Sequence, residues 1–145
     1  MLYLDAAVVL SLFVRDANSA AVDTWVTGRR QPLAFSDWGL TECASALGIR
    51  VRRGEMAASL AGHSFDAIAA FARESCEMIA CAPHHQTEAQ RLLTRFDLPL
   101  RAGDALHVAL SRHAEAALVT CDTQLATAAR TLGAKVHNPL ARTGR

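Results

Sequence analysis

The chain has 145 residues, 51% of them hydrophobic and 20% charged, with a formal net charge of +1. This length suffices for one good core, and the balance excludes a disordered chain. The near-zero net charge argues neither for nor against a polyanionic partner. In chain order, "LYL" at 2–4 is a short apolar run that ends at Asp5, the pattern of a buried strand. Residues 6–13 follow as a short helix, and 19–28 as a second helix stopped by Gly28. "PLAFS" at 32–36 is the next strand candidate. After it, Leu40, Cys43, Leu47 and Val51 form a helical stripe ended by Gly54, with Glu42 beside its start. Residues 55–75 read as a long Ala-rich helix, 78–82 as a strand and 85–96 as a helix. Then come the helix of "RAGDALHVAL" at 101–110, a strand at 117–121, a helix at 123–132 and a short strand "KVH". The tail 138–145 is expected to fray. Short strands alternating with helices predict a three-layer α/β/α sandwich around a short-stranded parallel sheet, in a single domain over 1–145.

Asp104 is out of place in this pattern. It lies in a segment whose other residues are mostly apolar, with Arg101 as the one close cation. An unpaired buried carboxylate costs several kcal/mol or gives up its charge. Asp5 and Asp122 interrupt apolar strands at equivalent edges, and Glu42 opens an amphipathic helix against the same layer. In an open α/β sheet, ligands bind beyond the carboxyl ends of the strands. Each aspartate taken alone reads as a helix N-cap. Taken together, clustered carboxylates repel one another unless a cation holds them. Oxygen ligands without His or Cys suit Mg²⁺ or Mn²⁺.

The stretches "YLDAAVVLSLF", "LTECASAL", "LPLRAGDALHVALS" and "ALVTCDTQLATAARTLGAKV" resemble, in order and spacing, the four motif blocks of the PIN domain. In detail they resemble the VapC-type toxins of bacterial toxin–antitoxin pairs. The resemblance runs nearly end to end. It implies a PIN-like fold and a metal-dependent endoribonuclease with Mg²⁺ or Mn²⁺ held by Asp5, Glu42, Asp104 and Asp122. Thr120 matches a threonine frequent two residues before the last acid. Ala6 and Ala7 stand where the family often has Ser or Thr, and Thr123 and Gln124 where a further ligand often follows. These departures bear on a second metal, not on the first. The resemblance further implies an RNA substrate, 5′-phosphate and 3′-hydroxyl products, a small antitoxin and a homodimer. A PIN nuclease that processes RNA outside any toxin pair, and a catalytically silent PIN-like binding module, are the alternatives.

RNA needs positive charge. Lys135 is the one lysine among fifteen basic residues, and arginine suits bidentate contacts to phosphate. A GC-rich coding bias gives the same enrichment. The candidate contacts are Arg15, Arg29, Arg30, Arg50, Arg52, Arg53 and Arg101, with Arg50, Arg52 and Arg53 the densest group. Trp38 could stack a base, although packing explains it more simply. "CEMIACAPHH" gathers Cys76, Cys81, His84 and His85. On an extended strand Cys76 and Cys81 point to opposite faces, which argues against zinc there. His107 reads as a satisfied core histidine. The cysteines lack a CxxC pair and read as reduced core residues. The apolar run from 6 to 14 is far short of a membrane span, so a cytoplasmic location without membrane contact is expected.

Overall fold

The computed structural model describes residues 1–141. The chain runs β1 (Leu2–Leu4), α1 (Ala6–Phe13), α2 (Ser19–Thr27), β2 (Leu33–Ser36), α3 (Asp37–Arg52), α4 (Ala58–Ser75), β3 (Cys76–Ile79), α5 (Pro83–Leu93), α6 (Ala102–His113), β4 (Ala117–Val119), α7 (Thr123–Thr131) and β5 (Val136–His137). The strands form one sheet in the order β3-β2-β1-β4-β5, and every pairing is parallel. The expected α/β/α sandwich is therefore the observed architecture.

The pleat of β1 explains the layers. Leu2 and Leu4 enter one apolar cluster with Val8, Val9, Phe35 and Ile68. Tyr3 points the other way and joins Leu92, Val108, Leu110, Leu118 and Leu125. Helices α1–α4 thus cover one face, and α5–α7 the other. A central parallel strand buried on both faces must be apolar throughout, and β1 is.

Several boundaries differ from the sequence reading; the strand read at 117–121 ends at Val119, and three other elements shift further. The third strand is Cys76–Ile79, not 78–82. Its register against β2, from Leu33↔Cys76 to Ser36↔Ile79, sets its position. As an edge strand it tolerates exposed Glu77 and Met78, so the apolar run was a poor guide. The following helix is Pro83–Leu93, not 85–96: proline suits the first helical position because its missing N–H has no intrahelical partner there. Helix α4 begins at Ala58 rather than 55, because Gly54 closes α3 at φ +72° and Ala57 is still extended. In the tail, Ala141 N–H reaches Asn138 O at 3.1 Å and Leu140 N–H reaches Asn138 Oδ1 at 2.8 Å, so 138–141 form a turn. The rest of that tail, 142–145, lies outside the described residues. Among the described residues no helix is long and apolar enough to cross a membrane.

Candidate functional site

Strand β1 pairs with β2 on one side and β4 on the other. The chain moves outward from β1 through β2 to β3, then returns to the other side with β4 and β5. The crevice beyond the carboxyl ends of β1 and β4 is the point where strand order reverses, the usual ligand position in such sheets. Asp5 follows β1 directly, and Asp122 follows shortly after β4. Both cap helices. Asp5 Oδ1 accepts the Val8 N–H at 2.8 Å. Asp122 Oδ1 accepts the N–H groups of Gln124 at 2.7 Å and Leu125 at 3.0 Å. Asp104, in the first turn of α6, accepts the Arg101 N–H on Oδ2 at 3.2 Å. Each cap engages one carboxylate oxygen and leaves a second with acceptor capacity. Capping and convergence are therefore not competing explanations. The caps fix the aspartates at three helix N-termini, whose dipoles favour negative charge.

Glu42 arrives from α3 on the other side of the crevice. Its approach depends on Gly103, because a Cβ there would lie 2.5 Å from Glu42 Oε1. The other oxygen, Oε2, bonds His107 Nε2. His107 is buried, and its Nδ1 lies 2.8 Å from the Tyr3 hydroxyl. Tyr3 in turn lies 2.8 Å from Ser36 Oγ, which accepts the Gly39 N–H at 3.0 Å. Burial foremost pushes the Tyr3 pKa up, so the phenol keeps its proton. His107 thus joins Glu42 through Nε2 and the Tyr3 hydroxyl through Nδ1. A buried chain of this kind holds the carboxylate in one orientation.

These groups line a cavity of about 420 Å³ that contains Asp5, Glu42, Asp104, Asp122, His107 and Arg101. Its remaining wall is mostly apolar, including Ala6, Ala46, Ile49 and Leu125. Burial raises the pKa of Asp5. The charge of His107, the Thr120 hydroxyl and the Val8 amide oppose that rise, while the nearby Glu42 adds to it. Thr120 is buried and its Oγ1 also accepts the Asp122 N–H at 3.0 Å, so it braces both aspartates. Arg101 offers limited compensation. Its Nε is 3.4 Å from Asp104 Oδ2 and its Nη2 is 4.0 Å from Asp122 Oδ2, but its side chain is 83% exposed and screened by water. Four carboxylates around one small cavity, one of them buried at a cost, form a donor set suited to a hard dication.

A family model describing the PIN domain matches residues 2–131. The chain belongs to the PIN domain family. Solved PIN-fold structures resemble it at low identity. Mycobacterium tuberculosis VapC20, described as a sarcin–ricin loop cleaving toxin, is 17% identical with a TM-score of 0.72, over 88% of this chain and 95% of that one. VapBC-1 from nontypeable Haemophilus influenzae is 14% identical with a TM-score of 0.68, over 97% and 100%. VapBC2 from Rickettsia felis, bound to a DNA fragment from its promoter, is 15% identical with a TM-score of 0.66, over 95% and 98%. A comparison with curated protein sequences finds no match.

The PIN domain brings the four expected acids to one cavity, and it separates most of the expected arginines from it. Arg101 lines the acidic cavity. Arg50 and Arg52 occupy the last turn of α3 and Arg53 caps it, outside the cavity lining but beyond the Glu42, Ala46 and Ile49 face of the same helix. Arg15 lines a separate cavity with Asp16 and Asp23. The Arg29 guanidinium lies over the Trp25 ring. Trp38 packs into the core around α5 and α6, and its indole N–H is buried without a partner. The four cysteines are free. Cys76 and Cys81 do not join His84 and His85, which meet His113 instead.

Sequence reasoning missed Tyr3, Ser36 and Gly103, and took His107 as core alone. For His107 a signal existed: its spacing of one turn from Asp104 puts both on one helix face. Gly103 carried no such signal, because its role comes from Glu42 on another helix.

Proposed function

We propose that this PIN domain is an Mg²⁺- or Mn²⁺-dependent endoribonuclease acting as the toxin of a toxin–antitoxin pair. The observation that carries the reading is the convergence of Asp5, Glu42, Asp104 and Asp122, from four separate places in the chain, on one cavity at the sheet's switch point. Asp5, Asp104 and Asp122 would hold the ion, directly or through water. A dication there supplies a more acidic bound water and neutralises charge on the phosphoryl oxygens.

The chain's own residues do the rest. Glu42 is held by His107, and its carboxylate accepts the proton of the attacking water. Water attacks phosphorus, the P–O3′ bond breaks, and the leaving oxygen takes a proton. The products carry a 5′-phosphate and a 3′-hydroxyl. Arg101 stands at the mouth, where its fork can meet a phosphate. Arg50, Arg52 and Arg53 extend that track along α3.

In the toxin reading the inhibitor is a small antitoxin whose segment covers the acidic cavity and offers it an arginine. The similarity to structures described as VapBC, one of them on promoter DNA, supports such a partner. A homodimer packed through helices and a cytoplasmic location complete the proposal.

The test is incubation of partner-free protein with an RNA pool and Mg²⁺ or Mn²⁺. Wild type should cut, EDTA should stop it, and Asp5→Asn and Asp104→Asn should each lose about 10²–10³-fold. Equal cutting by the variants, or none by folded wild type, would overturn the proposal and leave a PIN-like binding module.

A further inference from the structure

Three histidines outside the acidic cavity meet where the start of α5 packs against the end of α6. His84 and His85 follow Pro83 in the first turn of α5, and His113 is the last residue of α6. Their ring centroids lie 3.9 Å (His84–His85), 4.5 Å (His84–His113) and 4.9 Å (His85–His113) apart. One ligand nitrogen from each falls within 4.8 Å of the other two. The rings line a cavity of about 340 Å³ together with Glu88, Ala109 and Arg112.

His85 is 3% exposed, and its Nε2 is buried with no hydrogen-bond partner. An unsatisfied buried nitrogen is costly, and ring stacking alone leaves it unsatisfied. Burial first, and then the proximity of His84 and His113, hold the His85 pKa down, so the ring stays neutral. Glu88 is turned to Arg91 at 2.8 Å and Arg112 at 3.4 Å, so the free donors here are imidazoles. Neutral imidazoles suit zinc, nickel and copper, and are poor ligands for Mg²⁺.

We propose that His84, His85 and His113 form a transition-metal site, suited to Zn²⁺, that ties the start of α5 to the end of α6. It is independent of the nuclease reading. His85 Nδ1 accepts the Ala82 N–H at 2.9 Å, which places the proton of the neutral ring on Nε2. Ligation through Nε2 moves that proton to Nδ1 and displaces the Ala82 amide. Binding thus exchanges one hydrogen bond at a helix start for a coordinate bond, and it leaves a tautomer signature.

The experiment is calorimetric titration of the untagged chain with Zn²⁺ in excess Mg²⁺, which occupies the acids and competes poorly for imidazole. Wild type should bind a single equivalent at micromolar affinity or tighter. His84→Ala and His113→Ala, both at exposed positions and with folding checked by circular dichroism, should each weaken binding about tenfold or more. Asp104→Asn should leave it unchanged. In nitrogen-detected NMR, Zn²⁺ should convert His85 from the Nε2–H to the Nδ1–H form and shift the Ala82 amide. No saturable binding, equal affinity in His113→Ala, loss in Asp104→Asn, or a His85 tautomer unmoved by bound Zn²⁺ would overturn the proposal.

Discussion

Two of the clusters of ionisable side chains among the described residues are built in different ways. The acidic cavity draws its acids from the β1–α1 junction, α3, α6 and the β4–α7 connection, and three of its members also cap or open helices. The histidine cluster draws on only two packed helices, α5 and α6. In the first, backbone amides and a buried hydrogen-bond chain hold each carboxylate. In the second, one buried nitrogen is left without a partner. The difference teaches that local backbone chemistry at the sheet's rim places the aspartates, whereas the histidines depend on a helix–helix contact. It also separates the two by donor hardness: oxygen alone against imidazole alone.

The largest expected effect is a double dissociation. Asp104→Asn should remove RNA cleavage by about 10²–10³-fold, while His113→Ala leaves it intact; cleavage rates on one substrate decide. Gly103→Ala should come next. The new Cβ falls 2.5 Å from Glu42 Oε1 and must displace it, which at about an ångström costs about 10²-fold in rate. Because Ala favours helix over Gly, thermal unfolding should show no matching loss of stability.

Tyr3→Phe removes the hydroxyl that pairs with His107 Nδ1 and Ser36 Oγ. A rate loss of about tenfold and a destabilisation of about 1–3 kcal/mol are expected, read by kinetics and urea unfolding. Asp5 gives a pH test. Burial raises its pKa, so the fold binds that proton more tightly than the unfolded chain. Metal-free wild type should therefore lose stability as pH rises through the raised Asp5 value. Asp5→Asn keeps an acceptor for Val8 and should be flat across that window, with a higher melting temperature above it. Mg²⁺ should stabilise wild type there and leave the variant unmoved. The smallest effect is at the mouth: Arg101→Ala should raise KM a few-fold with kcat little changed, since its side chain is mostly solvent-exposed.

Much of this was legible in the residues. Asp5 and Asp122 stood out because they end apolar strands, and Asp104 because it sits in an apolar helix. The sandwich followed from the alternation of short apolar runs with helical stripes. What stayed hidden depended on contacts distant in sequence. His84 and His85 were grouped with Cys76 and Cys81 by nearness in the chain, but their partner is His113, which only the α5–α6 packing supplies. His107 looked like core, and is core, yet its buried position is what lets it hold Glu42. The β3 boundary slipped because an edge strand accepts Glu77, and register with β2 rather than hydrophobicity places it.

The most direct test of the central claim is a Mn²⁺ titration of wild type, Asp5→Asn and His113→Ala, followed by electron paramagnetic resonance or calorimetry. The account predicts saturable binding in wild type, its loss in Asp5→Asn and no change in His113→Ala. Binding that survives in Asp5→Asn would contradict it, and no saturable binding in wild type would leave the carboxylates at the switch point as helix caps alone.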